Sequence, residues 1–170
     1  MMGPASDSLH RRYRQGRVFA CAVTASVDIR APAEDVWAVL VDFAQYPAWN
    51  PFTPQVDAEL VAGAPVRLVV DMPGRRQLER VERINRVEPR RVLCWGMHMG
   101  HRSLLCANRW QVLEPVHAGT RYTTVDRFSG LLVPVVMALY GTPMQRGFQQ
   151  MADALKARVE STLATGAIAD

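Results

Sequence analysis

The sequence is short of the patterns by which many functions announce themselves. Its 170 residues include three cysteines, Cys21, Cys94 and Cys106, with no two close together. An odd, dispersed set excludes a CxxC redox motif, a zinc knuckle and a disulfide framework. All three lie in apolar, strand-like runs, where cysteine behaves as a small buried hydrophobe. No apolar run reaches 18 residues, and the longest, from Leu131 to Tyr140, is too short to span a bilayer. The basic N-terminus does not lead into a signal-peptide core, because Thr24 and Ser26 break the run from Val18 to Val27. Histidine is scarce: His98 and His101 flank a turn at Gly100, and His10 and His117 stand apart. Without HxH or HExxH spacing on a regular element, no metal is expected, and no cofactor either. A GxSxG elbow, a phosphate-cradling glycine loop and a Cys–His nucleophile signature are also missing. Ser129-Gly130 belongs to a strand-to-helix turn. These absences fit a protein of a reducing cytoplasm that inserts into no membrane.

Charge of one sign is modest as well, at a formal net +4. Much of it sits in His10, Arg11, Arg12, Arg14 and Arg17, and in the pairs Arg75/Arg76 and Arg90/Arg91. A nucleic-acid binder shows a basic stripe with interleaved aromatics. Here the arginines are scattered among acids and fall at turns, which describes a solvated surface. With 49% hydrophobic and 21% charged residues the chain has an ordinary globular composition. Its length is that of one domain, able to bury about two-thirds of its unfolded surface.

The order of elements is legible. Residues 1–16 lack apolar periodicity and read as a disordered arm, followed by one domain over 17–165 and a tail at 166–170. Val18 to Ile29 alternates as a first strand, with Val23, Ala25, Val27 and Ile29 on one face. Pro32, Glu34 and Asp35 then open a helix whose apolar positions are Val36, Trp37, Leu40 and Phe43. The segment Ala44–Pro54, with three prolines and three aromatics, is a turn of helix and a constrained loop. Strands follow at about 56–61, 65–72, 77–87, 91–99, 104–113 and 119–128, separated by turn signals that make consecutive hairpins. From Leu131 to about Thr165 the apolar repeat is helical, through Met144, Phe148, Met151, Leu155, Val159 and Leu163. Gly141 and Pro143 predict a kink or two segments there. This is an α+β order. A strongly bent sheet has an apolar concave face that one helix cannot fill, and what remains is a cavity.

The segments Ala31-Pro32-Ala33-Glu34-Asp35-Val36-Trp37 and Asp42-Phe43-Ala44-Gln45-Tyr46-Pro47-Ala48-Trp49-Asn50-Pro51-Phe52 carry a resemblance. So do Val87-Glu88-Pro89-Arg90-Arg91-Val92-Leu93-Cys94-Trp95, Gly119-Thr120-Arg121-Tyr122 and Phe128-Ser129-Gly130-Leu131-Leu132. In this order, over about residues 22–162, the chain resembles the SRPBCC (START-like, Bet v 1-like) superfamily, and within it the polyketide cyclase/dehydratase-like branch. The resemblance implies a helix-grip fold: a curved antiparallel seven-stranded sheet wrapped around a long C-terminal helix, with two short helices after strand 1. It does not select a function, because the fold serves carriers, cyclases and interaction modules alike.

Strand alternation then nominates cavity residues. The inward sets are Val66, Leu68, Val70 and Met72; Leu93, Trp95, Met97 and Met99; Cys106, Asn108, Trp110 and Val112; and Tyr122, Thr124, Asp126 and Phe128. The strand at 77–87 allows two registers. Residues in phase with Ile84 include Arg80 and Glu82, which would need Asp126, each other or a polar ligand as partners. A bulge would instead send both to solvent and turn Val81 and Ile84 inward. If inward, Arg80, Glu82 and Asp126, with Tyr122, form the candidate acid/base cluster. Trp49, Asn50 and Phe52 border the opening or plug the core, and Met137, Tyr140 and Met144 flank the expected kink.

Three functions are compatible with this reading. The first is a cofactor-free polyketide cyclase, aromatase or dehydratase of secondary metabolism, a lyase- or isomerase-type enzyme that folds a flexible apolar chain. The second is a non-catalytic carrier or sensor of a small hydrophobic ligand. The third is a protein-interaction module, which would show a large apolar patch. A polar cluster inside an apolar pocket separates the first from the second. Oligomeric state is not encoded legibly.

Overall fold

A computed structural model describes residues 18–166; the arm at 1–16 and the tail beyond Gly166 lie outside the described residues. Seven strands, β1 (Ala20–Ile29), β2 (Gln55–Ala58), β3 (Pro65–Val70), β4 (Leu78–Glu88), β5 (Val92–Met99), β6 (Leu105–Val116) and β7 (Gly119–Ser129), form one antiparallel sheet. Its order is β1-β7-β6-β5-β4-β3-β2. Between β1 and β2 lie α1 (Ala33–Val41), a 3-10 turn (Phe43–Gln45) and the four-residue α2 (Tyr46–Trp49). The long helix α3 (Val133–Gly166) closes the fold. This is the helix-grip arrangement. No helix among the described residues is long and apolar enough to cross a membrane.

Two layers of packing result. Helix α3 lies mainly against β1 and β7 and buries Phe148, Met151, Leu155 and Val159, one side chain per turn. The shorter helices cover the other half of the sheet, where Trp37 and Phe43 pack on Val66, Leu68, Ile84, Leu93 and Trp95. The concave face between the two layers is incompletely filled.

Antiparallel register decides what faces that space. The turn between β6 and β7 is the two residues His117-Ala118, pairing Val116 with Gly119. Directly opposed residues share a face. Leu113 therefore accompanies Tyr122, Gln111 accompanies Thr124, Arg109 accompanies Asp126, and Ala107 accompanies Phe128, all on the concave side. This corrects one inward set: Cys106, Asn108, Trp110 and Val112 lie on the convex face. There the Arg127 guanidinium covers the Trp110 ring at 5.7 Å, and Asn85 donates to Asn108 Oδ1 at 2.8 Å.

The two registers open for β4 are also resolved. A bulge exists, but the register shifts between Ile84 and Arg86, downstream of the charged pair. Leu78, Arg80, Glu82 and Ile84 keep one phase, and Val81 is 66% exposed.

Helix α3 is a single segment with Pro143 inside it, not two. Proline lacks the N–H that would bond the carbonyl one turn back, that of Leu139. Arg75, on the β3–β4 loop, supplies the replacement: its Nη2 donates to Leu139 O at 2.6 Å while its guanidinium lies 5.4 Å from the centre of the Tyr140 ring. One turn further on, Gly147 allows the Phe52 ring to lie directly on the helix. A Cβ there would come within 2.1 Å of the ring.

Gly147→Ala tests that contact. Alanine improves helix propensity by about 1 kcal/mol, yet the ring must move, so we expect net destabilisation of about 1–3 kcal/mol in thermal unfolding. In Phe52→Ala the same change becomes stabilising. A raised Tm in the single variant would remove the contact from the account.

Candidate functional site

The site is built around a charge that sequence phase had placed outside. Arg109 is only 6% exposed, in the middle of β6. Cross-strand neighbours put Ile84, Trp95, Arg109 and Asp126 in one row across β4, β5, β6 and β7. The guanidinium lies 4.5 Å from the ring centre of Phe148, 5.3 Å from that of Phe52 and 6.0 Å from that of Trp95. These are cation–π distances in a desolvated setting. Its Nε donates to Thr124 Oγ1 at 3.3 Å, its Nη1 to Thr53 Oγ1 at 3.3 Å, and its Nη2 to Met151 Sδ at 2.7 Å. A guanidinium carries five N–H groups. Three are engaged by weak acceptors and the guanidinium also interacts with the Tyr122 hydroxyl, so no more than two remain for whatever occupies the adjoining space.

That space is a partly open cavity of about 120 Å³, bounded by apolar walls from Leu68, Met97, Phe128 and Met144 and by Arg80, Glu82, Arg109 and Asp126. An apolar cavity of about 150 Å³ accepts one benzene-sized ring, so the volume suits a single ring. Beside it, a solvent-open groove of about 650 Å³ runs past Phe43, Pro47 and Val56. Leu68 and Arg80 line both spaces and form the partition.

The two carboxyls face this cavity without ion pairs among the described residues. Burial pushes Glu82 up to about 7; the like charge of Asp126 adds to the rise, and Arg109 and Arg80 oppose it. Burial pushes Asp126 up to about 6 against the pull of Arg109 and of the Arg127 backbone N–H. Asp126 Oδ1 is buried with no hydrogen-bond partner. Both carboxyls are thus held closer to neutrality than an ordinary carboxylate, the condition for general acid–base work.

The other nominated residues divide cleanly. Phe52, Leu68, Val70, Trp95, Met97, Phe128 and Met144 line the cavity. Trp49 and Asn50 do not. Trp49 is buried edge-on against Tyr46, ring centres 4.8 Å apart. Asn50 Oδ1 accepts from the backbone N–H of Phe52 at 3.2 Å and of Thr53 at 2.9 Å, fixing both where Arg109 meets them. Tyr122 lies beneath the cavity floor, fully buried, its hydroxyl donating to Gln111 Oε1 at 2.9 Å. Burial raises its pKa to about 12, and its bond to Gln111 links β7 to β6. Met137 and Tyr140 are half-buried on α3 and do not line the cavity. Asn108 and Trp110 face away. Arg109, Thr53 and Gln111 are the polar residues that sequence phase missed.

Over residues 20–160 the sequence matches the family described as polyketide cyclase / dehydrase and lipid transport. The chain belongs to this family. As a member it shares the SRPBCC-type fold with many solved structures. The ZhuI aromatase/cyclase from Streptomyces sp. R1128 is 21% identical, with 85% of this chain and 96% of that one covered at a TM-score of 0.69. The di-domain ARO/CYC StfQ of the steffimycin biosynthetic pathway is 9% identical over 94% of this chain and 56% of its own, TM-score 0.69. A protein from Thermus thermophilus is 18% identical over 83% and 98%, TM-score 0.65. No functionally curated protein matches the sequence. At these identities family membership fixes the fold and leaves this member's chemistry to its own residues.

The carboxyls predict a pH dependence. Folding raises both pKa values above their ordinary 4.5 and 3.8. The folded state therefore binds these protons more tightly than the unfolded chain. The associated stability is complete at low pH and is lost as pH rises through about 6 to 7. Glu82→Gln should flatten the fall between pH 5 and 8 and be the more stable protein at pH 8, by on the order of 2 kcal/mol in urea unfolding. Parallel curves for the two proteins would mean that water solvates the Glu82 carboxyl in the folded state.

Proposed function

We propose that this protein is a cofactor-free catalyst of the cyclase, aromatase or dehydratase type, acting on a polyketide-like or similar apolar substrate that bears carbonyl groups. The observation that carries the reading is the pairing of a desolvated guanidinium with two carboxyls of raised pKa in an otherwise apolar cavity. A pure carrier gains nothing from such a cluster, which costs stability to bury.

Each group has a role in this scheme. The free N–H groups of Arg109 donate to a substrate carbonyl oxygen and stabilise the charge that develops when an adjacent carbon is deprotonated. Glu82, as carboxylate, takes that proton. The resulting carbanion attacks a second carbonyl of the same chain and forms the ring's carbon–carbon bond. The new alkoxide recovers that proton from Glu82, which is again a carboxylate. In the dehydration it takes the second proton from the same carbon and passes it to the departing hydroxyl, which leaves as water as the carbon–carbon double bond forms. Asp126 is the counter-ion that keeps Arg109 and the cavity near neutrality. Arg80, at the partition, reaches the part of the chain that lies in the groove. The apolar walls of the cavity position the reacting carbons.

The alternative is a carrier or sensor of a hydrophobic ligand, favoured by the methionine-rich wall of Met72, Met97, Met99 and Met144, which adapts to many shapes.

A synthetic poly-β-carbonyl thioester, followed by absorbance as it becomes aromatic, separates the two. Multiple turnovers are expected, with kcat/KM reduced about 10²–10⁴-fold in Glu82→Gln and the unfolding transition retained. Asp126→Asn should lower kcat and shift the pH profile. Stoichiometric binding without product would establish the carrier. Full activity in both variants would remove the carboxyls from the mechanism.

A further inference from the structure

The first third of α3 differs from the rest of the helix. From Leu131 to Gln145 the sequence holds no charged residue, yet Leu131 is 60%, Val135 54% and Leu139 47% exposed. Residues four apart lie on one stripe of a helical surface, and Pro134 and Ala138 are exposed beside them. From Arg146 to Arg158 the exposed positions are Arg146, Gln149, Gln150, Asp153, Ala157 and Arg158, all polar but one, as a solvated helix requires, and Leu163 is the one large apolar side chain exposed beyond them.

The stripe is extended by its surroundings. Gly130 N donates to Phe19 O and Leu131 N to Ser103 O, both at 2.9 Å. These bonds bring the exposed Val18 and Phe19 and the β5–β6 hairpin with its exposed Met99 to the same end of the molecule. The β3–β4 loop joins them through Arg75 and Leu139. Together these segments, 71–77, 99–105 and 129–146, carry four arginines, Arg75, Arg76, Arg102 and Arg146, against one carboxylate, Asp71. Asp71 accepts from Gln77, and none of the four arginines forms an ion pair among the described residues. Four residues of the cavity lining, Met72, Met99, Leu105 and Met144, belong to these same segments.

We propose that this end of the domain docks on an anionic lipid bilayer, with the Leu131–Val135–Leu139 stripe in the interface and the surrounding arginines on lipid phosphates. An apolar helical face rimmed by cations is the arrangement by which a surface helix settles at the headgroup boundary, and arginine stems reach the phosphates while their heads stay hydrated. A symmetric second copy is disfavoured, because a two-fold contact brings the same four arginines face to face. An acidic protein surface satisfies the arginines and leaves the leucines without a partner. Docked in this way, the side of the cavity lined by Met72, Met99, Leu105 and Met144 is turned to the bilayer, which shortens the path of an apolar molecule between the two.

The test is sedimentation of the full chain with phosphatidylcholine vesicles, alone or mixed with phosphatidylglycerol. Partition onto the mixed vesicles and little onto pure phosphatidylcholine is expected. Val135→Glu/Leu139→Glu, both at exposed positions, should melt like the parent and lose partition by about tenfold or more. Failure of the parent to bind mixed vesicles overturns the proposal, because another part of the chain or another partner then covers the stripe. Equal binding by the double variant also overturns it, since charge alone would be acting. A dimer in light scattering that the double variant dissolves assigns the stripe to a second copy and overturns it too.

Discussion

A single buried cation organises the interior of this protein. Arg109 occupies a strand position that an apolar residue would fill without cost, and a guanidinium there survives only if its surroundings answer it. They do so in three directions. Aromatic faces from Phe52, Phe148 and Trp95 surround the guanidinium carbon, and hydroxyls and a sulfur take its N–H groups. Asp126, its cross-strand neighbour, supplies a negative charge without a direct ion pair. The consequence is a charge that is balanced but not quenched. A tight, bidentate salt bridge would have saturated both partners and left nothing for a ligand.

Much of the fold was legible because its signals are local. Alternation and turn residues mark six consecutive strands, and the 3.6-residue repeat marks α3. Registers were harder, since a slip of one residue moves a whole strand to the other face. For β6 the bulky Trp110 and Val112 suggested the inward phase, and Arg109 and Gln111 looked like solvent residues. The correction was already written in the hairpin: a turn of two residues, His117-Ala118, pairs odd positions of β6 with even positions of β7, and Tyr122 and Phe128 had fixed the latter as inward. Arg109 was readable from that parity. On β4 the bulge was anticipated, but its place was not. Its position depends on where β5 demands pairing with β4, a long-range condition that no local pattern contains. The Arg75 bond to Leu139 is invisible to sequence for the same reason, although Pro143 announces that the Leu139 carbonyl needs some donor.

Several residues that touch nothing in the cavity still determine it. Asn50 folds the aromatic loop on itself and aims Phe52 and Thr53 at the guanidinium, while the bond from Asp71 N to Phe52 O, 2.8 Å, ties that loop to the end of β3. Pro143 leaves a carbonyl that the β3–β4 loop grips. Such supports are what keep an active constellation within its working geometry, and they are spread over three separate stretches of chain.

The seat of Phe52 on Gly147 has a longer-range implication. The loop backbone is anchored independently of the ring, by Asn50 and by β3, so the side chain at position 52 can be exchanged without refolding the loop. The helix surface beneath it is already bare. The depth of the chamber is therefore set by one removable stop and not by the scaffold. A lineage, or an engineer, that shortens this side chain enlarges the accepted molecule by about the volume of an aromatic ring and gives up one of the three aromatic faces that meet Arg109.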